Sequence, residues 1–234
     1  FHIRRRFEYS FMTENLPLDP EEIDYEIVEF LPDESLDSYL MQYAEIHRLI
    51  HELEGEQLYR ALSELMDLES YMRLMAFNYI VCNHDYTDEI YFYINGQSKK
   101  SRFEFLPWDF DDIFGISPHE GWKSRNEILD DQMVFSVENK LDLVIGSDTF
   151  LYEKYLDELS KMVDAVGDAP VRSIFQAIYK EIFPYYNTPG IIGLSVNDSN
   201  SKQYNMQDLE YQLNGIYSYL SQRINSIQDQ MKLR

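Results

Sequence analysis

Asn83-His84-Asp85, Ile90-Tyr91-Phe92-Tyr93-Ile94, Asn95-Gly96, Arg102-Phe103-Glu104-Phe105-Leu106 and Pro107-Trp108-Asp109-Phe110-Asp111-Asp112-Ile113-Phe114-Gly115 follow one another in a single stretch, and their order decides the fold. The two aromatic, β-branched runs read as strands, and Asn95-Gly96 between them is a strong hairpin turn signal. Gln97 to Ser101 is polar and basic, which suits an exposed hairpin tip. Upstream the periodicity is helical. A helix begins near Asp67 with Tyr71, Leu74, Met75, Tyr79 and Ile80 turned inward, and near its end it is apolar almost all round. Such a helix is buried and central, and it stops at Asn83-His84-Asp85.

Further upstream, residues 35–53 read as a helix capped by Ser35 or Asp33, with Leu36, Leu40, Tyr43, Ile46 and Ile50 as its apolar stripe. Gly55 breaks that pattern, and residues 56–65 form a second amphipathic helix. Residues 1–12 are basic and aromatic and read as a strand. Residues 13–34 are acidic and carry Pro17, Pro20 and Pro32, which reads as a linker or loop with short helical turns. Downstream, residues 116–132 read as a loop. Helices are expected over 133–145, over 149–166 with a cap from Ser147 or Asp148, and over 170–183 with Pro170 in its first turn and Pro184 ending it. A long helix is expected from about Asp208 to Lys232. The fold class is therefore α+β, predominantly helical, around a central β-hairpin.

The informative pattern is helix, acidic loop, hairpin, acidic loop. Asp85, Asp88 and Glu89 precede the first strand; Asp109, Asp111 and Asp112 follow the second. A hairpin returns its outer ends to each other, so the two clusters are expected to be neighbours. Converging carboxylates repel unless a cation or a proton lies between them. Oxygen ligands in this number suit Mg²⁺, Mn²⁺ or Ca²⁺. Phosphoryl transfer uses such a set: one carboxylate takes or orients the acceptor hydroxyl proton, and others hold the metal on the nucleotide phosphates. Asp85 suits the first task and Asp109 with Asp111 the second, because residues two apart in an extended segment point the same way. Asp and Asn also cap turns and helix ends through their own backbone, so spacing alone does not establish chemistry.

Composition excludes several classes. The chain has 234 residues and a formal net charge of -22, which repels nucleic-acid phosphates and anionic membranes. Such a surface favours a basic peptide or divalent cations. Cys82 is the single cysteine, so there is no intrachain disulfide and no multi-cysteine zinc site; it reads as a buried inert thiol. No run reaches the roughly 18 apolar residues of a membrane span. No signal peptide is visible, and the start at Phe1 reads as an internal point of a longer protein, which leaves localisation unread. His47 and His51 are one helical turn apart and read as a surface pair.

The stretch from Tyr71 to Gly115 resembles the spore-coat protein H (CotH-type) kinase family. That family shows an apolar helix ending in Asn-x-Asp, an aromatic strand, then Pro-Trp-Asp-x-Asp and Phe-Gly. Here these read Asn83-His84-Asp85, Tyr91-Phe92-Tyr93, Pro107-Trp108-Asp109-Phe110-Asp111 and Phe114-Gly115. The last run is fairly specific; Asn-x-Asp alone is weak. The resemblance implies an atypical protein-kinase-like C-lobe over residues 35–234, with the hairpin at about 89–107 and residues 1–34 as the end of a preceding lobe plus an acidic linker. It implies ATP with Mg²⁺ or Mn²⁺, transfer to Ser or Thr of secreted, cell-surface or spore-coat proteins, Asp85 as catalytic aspartate beside Asn83, and Asp109 with Asp111 on the metal. Two departures accompany it. Glu89 stands where the family has a metal-side Asn, with Asp88 a second candidate. No glycine-rich phosphate loop and no strand Lys with a helix Glu are found. The competing expectations are a catalytically inactive domain of the same fold that serves a cell-surface protein as a binding or structural module, and a calcium-stabilised structural module.

Overall fold

The structure, a computed structural model, describes residues 2–5, 25–29, 36–84, 90–94, 102–107, 110, 112–114, 132–137, 139–186 and 206–234. Its elements run β1 (His2–Arg5), β2 (Tyr25–Glu29), α1 (Leu36–Glu52), α2 (Gly55–Leu65), α3 (Leu68–Val81), β3 (Ile90–Ile94), β4 (Phe103–Pro107), α4 (Lys140–Ser147), α5 (Thr149–Ala165), α6 (Asp168–Tyr186) and α7 (Met206–Lys232). The chain divides into two units, 1–159 and 160–234. The α+β class read from the sequence is the class observed: helices dominate the described residues and the hairpin is antiparallel.

The first unit holds one antiparallel sheet of order β2-β1-β3-β4. The hairpin register sets Ile90 opposite Pro107, Phe92 opposite Phe105 and Ile94 opposite Phe103. β1 adds to β3 with Ile3 opposite Phe92. β2 lies within the acidic stretch that composition reads as linker; it pairs with β1 with Ile27 opposite Ile3, despite the flanking glutamates. A composition average over a proline-bearing segment hides a strand of only five residues.

One side of the hairpin packs on α1 and α3. Phe92 meets Tyr43 of α1 edge-on at 5.3 Å and Phe105 at 4.8 Å, and Tyr71 of α3 closes on Phe105 at 5.0 Å. Such edge-to-face geometry is the favoured one for aromatic pairs. α3 is the central helix that its sequence predicts, with Leu68, Tyr71, Met72, Met75, Ala76, Tyr79, Ile80 and Val81 all buried. Its start is tied to the hairpin. The Asp67 N–H donates to the Phe103 carbonyl at 2.8 Å, and the Asp67 carboxylate meets Arg102 at 3.2 Å while accepting from the Ser70 N–H.

Two helix expectations are corrected. Residues 132–137 are not helical, and α4 starts only at Lys140, where the Asn139 side chain accepts from the Leu141 N–H at 2.9 Å. Met133-Val134-Phe135 is apolar because it is buried as irregular backbone. Hydroxyls satisfy the Met133 backbone: Tyr152 Oη accepts from the Met133 N–H at 2.8 Å, and Tyr155 Oη donates to the Met133 carbonyl at 2.6 Å. Pro184 does not end α6, which continues to Tyr186. In the last turn proline removes a single intrahelical bond, a smaller loss than in mid-helix.

Asp148, one of the two expected caps of α5, serves two helices. Its Oδ1 accepts from the Leu151 N–H at 3.0 Å, and its Oδ2 accepts from Gly55 at the start of α2 at 2.7 Å. Ser147 turns back to the Leu143 carbonyl instead. Asp148→Ala should lower the unfolding free energy by about 2 kcal/mol, the upper end for a lost cap, since two helix starts lose a charged acceptor. Urea unfolding of the two proteins measures it; Asp148→Asn should recover part.

The second unit pairs α6 with α7. Arg172 donates to Tyr217 Oη at 2.6 Å, Phe175 meets Tyr217 edge-on at 6.0 Å, and Tyr179 Oη donates to Glu210 at 2.7 Å. Among the described residues no helix is long and apolar enough to cross a membrane.

Candidate active site

The site is built where α3 ends. Cys82 takes a left-handed conformation, φ 51°, and its N–H reaches the Asn78 carbonyl; the Asn83 N–H shares that carbonyl at 3.3 Å. This is the helix-ending geometry that glycine usually supplies. A cysteine there carries a steric penalty of roughly 1–2 kcal/mol. Its thiol is buried, as read, 3.7 Å from the Tyr79 carbonyl.

The turn delivers Asn83 and His84 to the segment that follows the hairpin. The His84 N–H donates to the Asp112 carbonyl at 3.0 Å, and the Phe114 N–H donates to the Val81 carbonyl at 2.7 Å. Phe114 also has a positive φ, 65°. Among the described residues Cys82 and Phe114 are the two non-glycine residues with positive φ, and they face each other across these bonds. Backbone strain of this sort clusters at ligand sites and switches.

Side chains close the junction. His84 Nδ1 lies 3.7 Å from Asp112 Oδ2, an ion pair when the ring is protonated, and the ring stacks on Phe135 with centroids 6.5 Å apart. Phe110 sits edge-on to Phe77 of α3 at 5.5 Å. Asn83 is 1% exposed. Its Nδ2 donates to Asn78 Oδ1 at 3.2 Å, while Asn78 Nδ2 donates to the Leu74 carbonyl at 3.0 Å. Asn83 Oδ1 is buried and has no hydrogen-bond partner among the described residues.

Of the residues singled out by sequence, Asn83 is described and sits at this junction. Asp85, Glu89, Asp109 and Asp111 lie outside the described residues, as do Asp88 and Trp108. Among the described residues there is no group of three or more His, Cys, Asp or Glu placed to hold a metal ion. His47 is corrected: it is not on the surface but 5% exposed, edge-on to Tyr43 at 5.0 Å, because its position shares the inward face of α1 with Tyr43, Ile46 and Ile50. Burial pushes it down to about 4, with His51 adding to the effect.

Sequence reading missed Asn78 and Asp142. Asn78 is the lone amide in an apolar helical run, and that isolation was its signal. Asp142 is fully buried in the first turn of α4 and accepts from Tyr71 Oη at 2.6 Å. The helix wrongly begun at residue 133 concealed it.

The described residues thus form a mostly helical α+β fold with a strained junction between the end of a buried helix and the exit of a hairpin. A family model described as CotH kinase protein matches residues 11–228. The chain belongs to the CotH kinase family. Neither the curated proteins nor the solved structures compared with it yield a match.

Proposed function

We propose that the chain transfers the γ-phosphate of ATP to a Ser or Thr hydroxyl of a protein substrate, with Asp85 as the base and Asp109 and Asp111, joined by Glu89, as ligands of Mg²⁺ or Mn²⁺. The observation that carries the reading is the pair of backbone bonds joining 81–84 to 112–114. Asp85 follows His84 in the chain and Asp111 precedes Asp112, which supports the reading that the two acidic clusters converge. The donor chemistry fits a hard cation, since every side chain in the set offers oxygen. Such a cation, when bound, neutralises charge on the phosphates. Asp85 accepts the hydroxyl proton as the new P–O bond forms and the bond to the β-phosphate breaks, releasing ADP.

Charge distribution supports a basic substrate. Residues 160–234 carry seven Lys and Arg against seven Asp and Glu, so the whole negative excess lies in residues 1–159. An acidic lobe raises the local concentration of a cationic peptide, and salt weakens the effect. By family, such substrates are secreted, cell-surface or spore-coat proteins. A second reading rests on Glu89, which puts a carboxylate where the family carries a neutral amide beside the phosphates: a catalytically inactive domain serving as a binding or structural module.

The full chain, Asp85→Ala and Asp109→Ala are incubated with labelled ATP, Mg²⁺ or Mn²⁺ and a basic Ser-rich peptide. Label should reach the peptide with the parent protein and with neither variant. No transfer, together with no nucleotide-induced thermal shift, would leave the inactive module standing. Transfer that survives both substitutions would overturn the residue assignment.

A further inference from the structure

Asn83 presents an unusual state: a buried amide with its nitrogen bonded and its carbonyl oxygen unpartnered among the described residues. The direction of this amide is not arbitrary. Asn78 Nδ2 points to the Leu74 carbonyl at 3.0 Å, so Asn78 Oδ1 must be the atom that faces Asn83. An acceptor there demands a donor, which fixes Asn83 Nδ2 inward and turns Asn83 Oδ1 away from α3. The Asn78 backbone carbonyl receives the Asn83 N–H at 3.3 Å, so main chain and side chain of Asn83 are both held by one residue. Asn78 itself is 1% exposed, in the last turn of a buried helix.

A buried acceptor left without a donor disfavours folding. Folding alone would be served as well by an apolar pair at these two positions. An amide chain that ends in an open oxygen, one residue before the His84–Asp112 bond, is instead suited to offer a fixed acceptor at the site. We propose that Asn78 is a positioning residue of the phosphotransfer site: it orients the Asn83 carboxamide so that its carbonyl oxygen is held ready for a donor group there. The activity part of this inference rests on the phosphotransfer reading; the amide orientation does not.

The test compares the full chain with Asn78→Leu, which keeps the volume and deletes both polar atoms, and Asn78→Ser, whose hydroxyl donates to the same i−4 carbonyl and still accepts from Asn83. Asn78→Ala is the second deletion, should the leucine variant fail to fold. Three quantities are measured: kcat and KM for ATP, the melting temperature, and exchange protection of the Asn83 side-chain amide protons by NMR. The deletion should lower kcat at least about tenfold, as expected for a misdirected site group. KM for ATP should stay within about threefold, the pattern of an interaction used in the transition state. Asn78→Ser should restore most of kcat, and protection of the Asn83 amide should vanish in the deletion alone. A deletion that lowers the melting temperature but leaves kcat unchanged makes Asn78 merely structural and overturns the proposal. If the parent protein transfers no phosphate, the phosphotransfer reading fails by itself. The exchange measurement then decides: loss of protection in the deletion upholds the orienting role, and unchanged protection overturns it.

Discussion

Tyr71→Ala should lower the unfolding free energy of the chain by about 4 kcal/mol, the cost of removing a large aromatic from a closed core. That corresponds to a fall of roughly 12 °C in melting temperature for a chain of this size. Tyr71 is fully buried and does three things at once. It packs on Phe92 and Phe105, and so holds the hairpin on α3. Its hydroxyl donates to Asp142 Oδ1 at 2.6 Å in a site where Asp142 is itself fully buried. A carboxylate in that setting depends on its donors, because desolvation without compensation is costly. Tyr71→Phe separates the two contributions. It keeps the ring and deletes the donor, and should cost about 2 kcal/mol, as for a hydrogen bond to a charged group. Asp142→Asn in the Tyr71→Phe background should then recover stability, since the charge is gone. Urea midpoints at pH 7 for the three variants test this. Equal stability of Tyr71→Phe and the parent would show that the bond carries nothing.

The second large effect is one of pH. His47 is neutral and buried, and burial holds it down to about 4 from an ordinary value of 6.5. The unfolded chain therefore binds a proton between those values that the folded chain refuses. Its contribution is complete above pH 6.5 and falls away as the pH drops towards 4. The loss amounts to about 3 kcal/mol, from about 1.4 kcal/mol per unit of displacement. Carboxylates also titrate in this range, so the parent protein alone does not isolate it. His47→Leu does, because it retains the apolar contact with Tyr43 and cannot be protonated. The stability difference between parent and variant should move by about 3 kcal/mol in favour of the variant between pH 7 and pH 4. A difference that stays flat would show that the ring finds a proton acceptor in the folded chain.

Much of the fold around the candidate site was legible in sequence because it is written in local patterns; the acidic residues themselves lie outside the described residues. The apolar end of α3, the Asn95-Gly96 turn and the aromatic strands each depend on near neighbours, and β3 is found over the residues expected. The aromatic-acidic run of Pro107 to Gly115 named the family, to which the match over residues 11–228 assigns the chain. What local patterns miss is pairing across distance. β2 escaped because its partner β1 lies some 20 residues away in sequence, and the strand's own composition is acidic. The helix expected from 133 begins only at Lys140, because Met133-Val134-Phe135 is apolar for burial as irregular backbone, whose Met133 N–H and carbonyl bond to the distant Tyr152 and Tyr155 hydroxyls. His47 read as a surface residue because polarity predicts exposure, whereas the helix face it shares decides.

The sequence by itself determined the class: a helical lobe, a hairpin, and carboxylates gathered at both of its outer ends. These follow from periodicity, turn chemistry and residue type, all of which act over a few residues. Only the tertiary structure decided how the end of α3 meets the exit of the hairpin. The left-handed Phe114 and the bonds of Val81 and His84 to the opposing segment belong to that meeting, because two segments some 30 residues apart are pressed together there. The left-handed Cys82 and the Asn78–Asn83 amide chain are set within the end of α3, and packing compensates the strain of that turn.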